Sequence, residues 1–289
     1  MKERFTLIDG LLYAFLAALS LLVIVPFGHL LAVSLSPAEY SLGGNFFLIP
    51  KDFTLEAYKY LLTSSDRFLI AIKNTVYLTV LGTIVNLAVS ITLAYGLSKK
   101  FLPGRSLMLL LIFFTMIFSA GLIPTYLLVQ SLGLLDTYWA IILPGATNAF
   151  TVFVMKTFFQ GLPESLDEAA RIDGAGEVRI LLAVVIPLSM PIIATFSLFF
   201  MVGHWNQFFQ AILYMSDSDK WPIQVLLRQM ILSANASIGA EVSSEAMEFQ
   251  IGNNVKMAAV ILALVPIVLV YPFLQKYFAS GALLGSVKE

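Results

Sequence analysis

Residues 74–98 read NTVYLTVLGTIVNLAVSITLAYGLS, a stretch without Asp, Glu, Lys or Arg that is closed by Lys73 on one side and Lys99-Lys100 on the other. At 1.5 Å of rise per residue, a helix of this length crosses a ~30 Å hydrocarbon core, which needs ~20 apolar residues. Working outward, five more charge-free runs reach at least 19 residues: 10–38, 106–135, 137–155, 180–216 and 257–275. The next longest, 229–240, has only 12. The expected fold is therefore an all-α integral membrane protein with six transmembrane helices in a single transmembrane domain over 1–289. The spans fall at about 11–35, 74–98, 106–130, 137–157, 182–213 and 257–276. Composition agrees, since 59% hydrophobic and 12% charged residues stand far from the ~45–50% and ~25% of soluble domains.

Several functions are excluded by what is missing. With no Cys and only His29 and His204, there is no zinc site, haem-attachment motif or disulfide framework. A net charge of −1 and no basic cluster longer than Lys99-Lys100 leave no electrostatic footprint for nucleic acid. No G-x-x-x-x-G-K-[ST] loop is present, so the chain cannot hydrolyse ATP by that route. The basic start at Lys2 and Arg4, with Ala32-Val33-Ser34 further on, imitates a signal peptide. An apolar run of 29 residues exceeds the usual ~7–15, and an uncleaved first span is expected.

Six spans put both termini in one compartment. The side holding the termini carries ten positive residues: Lys2, Arg4, Lys99, Lys100, Arg105, Lys156, Arg171, Arg179, Lys276 and Lys288. The other side carries seven, mostly in two long stretches, so the termini and the loops around residues 100 and 170 are expected in the cytoplasm. Residues 39–73 and 217–256 then form external segments. In the second, Val225 to Leu232 reads either as a helix lying at the outer interface or as a cap packed on the bundle.

The third cytoplasmic segment, 164–178, reads as a short helix with marked ends. Ser165 can cap it, with Glu168 reaching back in a capping box, and Asp167 and Glu168 suit the positive end of the helix dipole. Leu166, Ala169, Ala170 and Ile172 or Asp173 give it small side chains through the middle, and Gly174 supplies the left-handed residue that ends it. On local physics alone this is an ordinary connector. Small residues beside one carboxylate also let another protein's groove approach the backbone closely.

The spacing adds a resemblance. Glu168-Ala169-Ala170, three residues, Gly174, nine residues and Val184-Val185-Ile186-Pro187 resembles the EAA loop of ABC importer permeases, with Val184 and Ile186 replacing the family's Ile and Leu. Residues 200–215, containing His204-Trp205-Asn206-Gln207-Phe208-Phe209, resemble the fifth span of the carbohydrate-uptake (maltose-type) permeases. Residues 222–228 and 276–285 are similar to its polysaccharide and oligosaccharide branch, which includes alginate-type importers. The resemblance implies a cytoplasmic (inner) membrane subunit of a bacterium that pairs with a second permease and two ATP-binding subunits and takes sugar from an extracytoplasmic binding protein. It implies no cofactor in this chain, ATP and Mg being held by the partner ATPase. It further implies ATPase coupling through Ser165, Glu168, Ala169, Ala170, Asp173 and Gly174, with Glu168 bonding the ATPase, the alanines allowing close packing and Gly174 making the turn.

A polar side chain inside a span is costly enough that it usually faces the bundle interior or a water-filled cavity. His204, Asn206, Gln207 and Gln210 fall within seven residues, interleaved with Trp205, Phe208 and Phe209. On a continuous helix Gln207 and Gln210 share a face, with His204 and Phe208 close to it, so amides and aromatic rings could line a sugar path. The other reading is that the amides bond neighbouring helices, as expected for Asn86, Asn148 and Gln130. A channel or secondary transporter is the alternative function, and the lack of charge inside the spans speaks against ion coupling.

Overall fold

In the computed structural model, which describes residues 7–41, 45–236 and 252–286, the apolar runs fold as helices that proline and glycine repeatedly interrupt. Helix α1 (Leu7–Ser34) runs on through Pro26 and is followed by the short α2 (Ala38–Ser41) and α3 (Glu56–Thr63). Helix α4 (Asp66–Ser98) has 33 residues, ~50 Å of rise. It starts at Asp66 rather than at residue 74, because Arg67 and Lys73 bound the apolar run but do not break the helix.

The expected span 106–130 is two helices, α5 (Arg105–Ile117) and α6 (Leu122–Ser131), bent by 120°. Phe118 leaves the helix in an extended conformation, and Gly121 turns the chain at φ +88, where a Cβ would be strained. The 137–157 stretch holds the four-residue α7 (Trp139–Ile142) and, past Pro144 and Gly145, α8 (Ala149–Gln160). Asn148 caps α8, its Oδ1 accepting from the Thr151 N–H at 2.9 Å. The 12 residues of α8 rise ~18 Å, short of the core thickness by themselves.

Next come α9 (Glu164–Ile172), α10 (Glu177–Ile180), a π-helical turn at Leu181–Val185, α11 (Ile186–Leu188) and α12 (Met190–Trp205). The expected 182–213 span bends by 85° at Ser189, between Pro187 and Pro191, each of which lacks a backbone donor. It breaks again at 206–208 before α13 (Phe209–Tyr214). A 3-10 turn (Ser218–Lys220) leads to α14 (Ile223–Ala236), and α15 (Asn253–Ser286) is the last helix. Among the described residues α1, α4 and Asn253–Val270 are long and apolar enough to cross a membrane, and the two bent pairs raise the number to five.

The chain divides into two compact units, Met1–Leu69 with Leu226–Pro266 and Ile70–Val225 with Ile267–Glu289. In the first, Ser36 Oγ donates to the Ala32 carbonyl and accepts from the Lys51 N–H, while His29 stacks on Phe46 at 4.6 Å and meets the Phe47 backbone. Among the described residues the second unit has two cores. One joins Ile91, Ala94 and Tyr95 of α4 to Met155, Phe159, Ile180, Leu181, Val185, Ile193, Phe196 and Phe200. The other gathers Leu78, Val129, Ala140–Ile142, Ala211, Tyr214, Met215 and Val225.

At the second core Asn74 donates to the Asp219 carbonyl at 2.7 Å and accepts from the Tyr138 hydroxyl at 2.9 Å, and Thr75 accepts from the Ile223 N–H. Ile223, Val225, Leu226, Leu227 and Met230 of α14, in the segment 217–256 that is expected to be external, are buried. Residues 237–251 of that segment lie outside the described residues.

Candidate functional site

Helix α9 begins one residue before Ser165. Pro163 holds the N-cap position at φ −58 and ψ 126, and no side chain caps the helix. The capping box expected from Ser165 and Glu168 is therefore not formed: the ring of Pro163 presets the entry, and Glu164 becomes the first helical residue. Glu164 and Asp167 occupy the first turn and Arg171 the last, matching the helix dipole at both ends.

The far end closes as a Schellman motif. The Gly174 N–H donates to Arg171 O at 3.0 Å and the Ala175 N–H to Ala170 O at 2.9 Å, with Gly174 at φ +78. Asp173 is the C-cap, its own N–H bonded to Ala169 O. Ala170 and Ala175 turn inward against the core around Met155 and Ile180.

This fixes which face is left open. Ser165, Glu168, Ala169 and Ile172, at i, i+3, i+4 and i+7, are all exposed, and Ile172 is 86% exposed. Among the described residues no hydrogen bond or ion pair engages the Glu168 carboxylate. The pair of alanines expected to face outward is thus divided, Ala169 outward and Ala170 toward its own core. Ile172 is an outward apolar anchor that the sequence reading grouped with the small residues. Its position four after Glu168 was the available signal.

Ion pairs link α9 to the residues that follow α4. Lys99 pairs with Asp167, and Lys100 with Glu164 at 2.7 Å. The hydrogen bond and charge of Lys100 hold the Glu164 carboxyl below the usual carboxylate range. A cleft of about 300 Å³ opens here, lined among others by Tyr95, Lys99, Gln160, Asp167, Glu168 and Arg171.

The segment 204–210 is arranged differently from the continuous helix expected of it. Helix α12 ends at Trp205, Asn206 is a turn residue and Gln207 and Phe208 are non-helical, so Gln207 and Gln210 share no helical face with His204. His204 is 8% exposed and packs on the α4 backbone at Gly82, where an added Cβ would stand 2.6 Å from its Cε1. Among the described residues its Nε2, Thr79 Oγ1 and Thr83 Oγ1 are buried without a hydrogen-bond partner. Trp205 is buried, and the Asn206 amide donates back to Val202 O at 2.8 Å. Gln207 and Gln210 are half-buried, beside the T-shaped pair Phe208 and Phe209. Of the five residues expected to line a path, only Gln207 and Gln210 keep half-accessible amides that no described neighbour binds.

Residues 86–283 match the family described as binding-protein-dependent transport system inner membrane component. The chain is 48% identical over 290 residues, 100% of both chains, to the polygalacturonan/rhamnogalacturonan transport system permease protein YtcP of Bacillus subtilis (strain 168). It is 47% identical over 275 residues, 95% of this chain and 92% of the relative, to protein LplC of the same organism. Among solved structures it is similar to a bacterial ABC transporter involved in the import of the acidic polysaccharide alginate. That match has a TM-score of 0.85 and 32% identity, over 96% of this chain and 100% of the other.

Proposed function

The chain belongs to the binding-protein-dependent transport system inner membrane components, the permease subunits of ABC importers, and on that premise we propose that it moves oligosaccharides rich in uronate residues across the cytoplasmic membrane. The uronate reading draws on two relatives, one named for polygalacturonan and rhamnogalacturonan, the other for alginate, an acidic polysaccharide. In this reading a second permease completes the path, two ATP-binding subunits hold ATP and Mg, and an extracytoplasmic protein delivers the sugar. Both termini and α9 lie in the cytoplasm. The chain itself does not hydrolyse ATP.

The observation that carries the proposal is the open face of α9. Ser165, Glu168, Ala169 and Ile172 present a small, notched surface with one unengaged carboxylate and one apolar anchor, fixed by a Schellman turn behind and ion pairs beneath. A carboxylate beside alanine suits a bidentate arginine in a close-fitting groove. Gln207 and Gln210, with Phe208 and Phe209, are the residues of 204–210 that offer a sugar hydrogen bonds and flat apolar faces. His204 and Trp205 instead support the wall behind them.

The test is reconstitution of the complete importer in vesicles. Galacturonate oligomers supplied with the binding protein should be concentrated inside at the expense of ATP, and neutral oligomers of equal length should not. Glu168→Lys, which opposes an arginine, should abolish uptake while the four-chain core still assembles. Uptake without ATP, or normal uptake by Glu168→Lys, would overturn the coupling assignment; equal uptake of neutral oligomers would overturn the uronate one.

A further inference from the structure

Glu177, the first residue of α10, makes contacts that the docking face of α9 does not explain. Its Oε2 accepts from the Tyr95 hydroxyl of α4 at 2.7 Å, and its Oε1 accepts from Arg171 Nη2 of α9 at 2.7 Å. One carboxylate therefore joins three helices. The surroundings reinforce the junction. Lys99, paired with Asp167, lies 4.5 Å over the Tyr95 ring, and the Arg171 guanidinium lies 5.2 Å over the Phe101 ring. Gln160 donates to the Ser98 carbonyl at 3.2 Å.

These contacts are not equal. Lys100 and Glu164 are 78% and 75% exposed, a pair that water screens and that holds little. Arg171 and Glu177 are nearly half exposed and would be weak alone. Tyr95 is 7% exposed within the core, and Lys99 and Asp167 are 13% and 27% exposed, so here the alternative of bonding to water is largely removed. The junction is held from the α4 side.

Besides the short return through Gly161 into α8, two routes lead onward from α9 into the membrane. The covalent one passes Gly174, Gly176, the π-helical turn at Leu181–Val185 and the 85° bend at Ser189. Each is a joint where displacement can be absorbed. The other crosses Glu177 and Lys99 into α4, which is helical without interruption for 33 residues. We propose that Glu177 is a positioning residue that clamps α9 and α10 to the end of α4, so that movement of the docking helix reaches the membrane chiefly along α4. This rests on the reading of α9 as the ATPase-docking helix.

The experiment measures sugar taken up per ATP hydrolysed by the complete importer in vesicles, together with the amount of assembled complex. Glu177→Gln and Tyr95→Phe should each lower that ratio about fivefold while ATPase activity and assembly persist. Together they should cost clearly less than the two losses added, because both weaken the contact between Tyr95 and Glu177. Lys99→Asp should lower the ratio, and adding Asp167→Lys should restore at least half of it. Should Glu177→Gln fail to assemble, Tyr95→Phe, which removes only a hydroxyl, decides. Ratios within the wild-type range, or additive losses, would overturn the clamp while the wild-type importer still carried sugar. A wild-type importer that carried no sugar would instead remove the reading of function beneath it.

Discussion

At the scale of single residues, the contact between His204 and Gly82 shows what spacing along the chain conceals. The cost of a polar ring at membrane depth was legible in the sequence, and it suggested a substrate path. What makes room for the ring is a glycine 122 positions earlier, which lets the imidazole lie against the α4 backbone. No pattern within 204–210 points to that partner. The packing makes a prediction. Gly82→Ala places a methyl group against the ring and should destabilise the purified subunit by ~1–3 kcal/mol, the usual range for overpacking. His204→Ala also destabilises, by opening a cavity, yet the double variant should lose clearly less than the two losses added, because each change relieves the other. Thermal unfolding of the four proteins reads this, and simple additivity would mean that the ring can rotate away from α4.

Among elements, α9 was the most legible because its ends are written in local chemistry. Acidic residues open it and Gly174 closes it at φ +78, with the two Schellman hydrogen bonds in place. Its start was misjudged because Ser165 and Glu168 carry the right spacing for a capping box, whereas Pro163 already fixes the entry geometry one residue earlier. The inward face was not legible at all, since Tyr95 of α4 and Lys99 just past its end approach from a distant part of the sequence. The exposed pair between Lys100 and Glu164 gives an element-scale prediction. The Glu164 carboxyl sits below its usual range in the folded chain, so any stability it lends is present above the unfolded carboxylate value and is lost as pH falls through the depressed one. The high exposure of the pair makes that contribution small. Glu164→Gln should leave uptake and melting temperature at neutral pH unchanged within error, and any small difference should vanish in high salt and in acid. A clear loss of uptake at pH 7 would mean that Glu164 belongs to the docking face.

For the whole molecule, counting charge-free runs identified where apolar helices lie but not how they are jointed. Residues 106–130 and 182–213 are bent pairs, and 137–157 holds the short α8, because Gly121, Pro144, Pro187 and Pro191 interrupt runs whose hydropathy is continuous. The break at 206–208 separates two kinds of polar residue that a continuous helix would have put together. His204 and Trp205 are sealed in the subunit, whereas Gln207 and Gln210 keep half-accessible amides. The chain contains no cysteine, so single cysteines report cleanly. In the assembled importer, Gln207→Cys and Gln210→Cys should react with a water-soluble thiol reagent, and saturating oligosaccharide with the binding protein should slow that reaction. His204→Cys should stay unreactive under the same conditions, because its position is buried before the break in the helix whereas Gln207 and Gln210 are half accessible beyond it. If Gln207→Cys and Gln210→Cys resist labelling in every nucleotide state, or label without protection by substrate, the path runs elsewhere and these amides bond a partner subunit. Labelling of His204→Cys as fast as Gln210→Cys would show instead that α12 rotates during transport and opens the contact with Gly82.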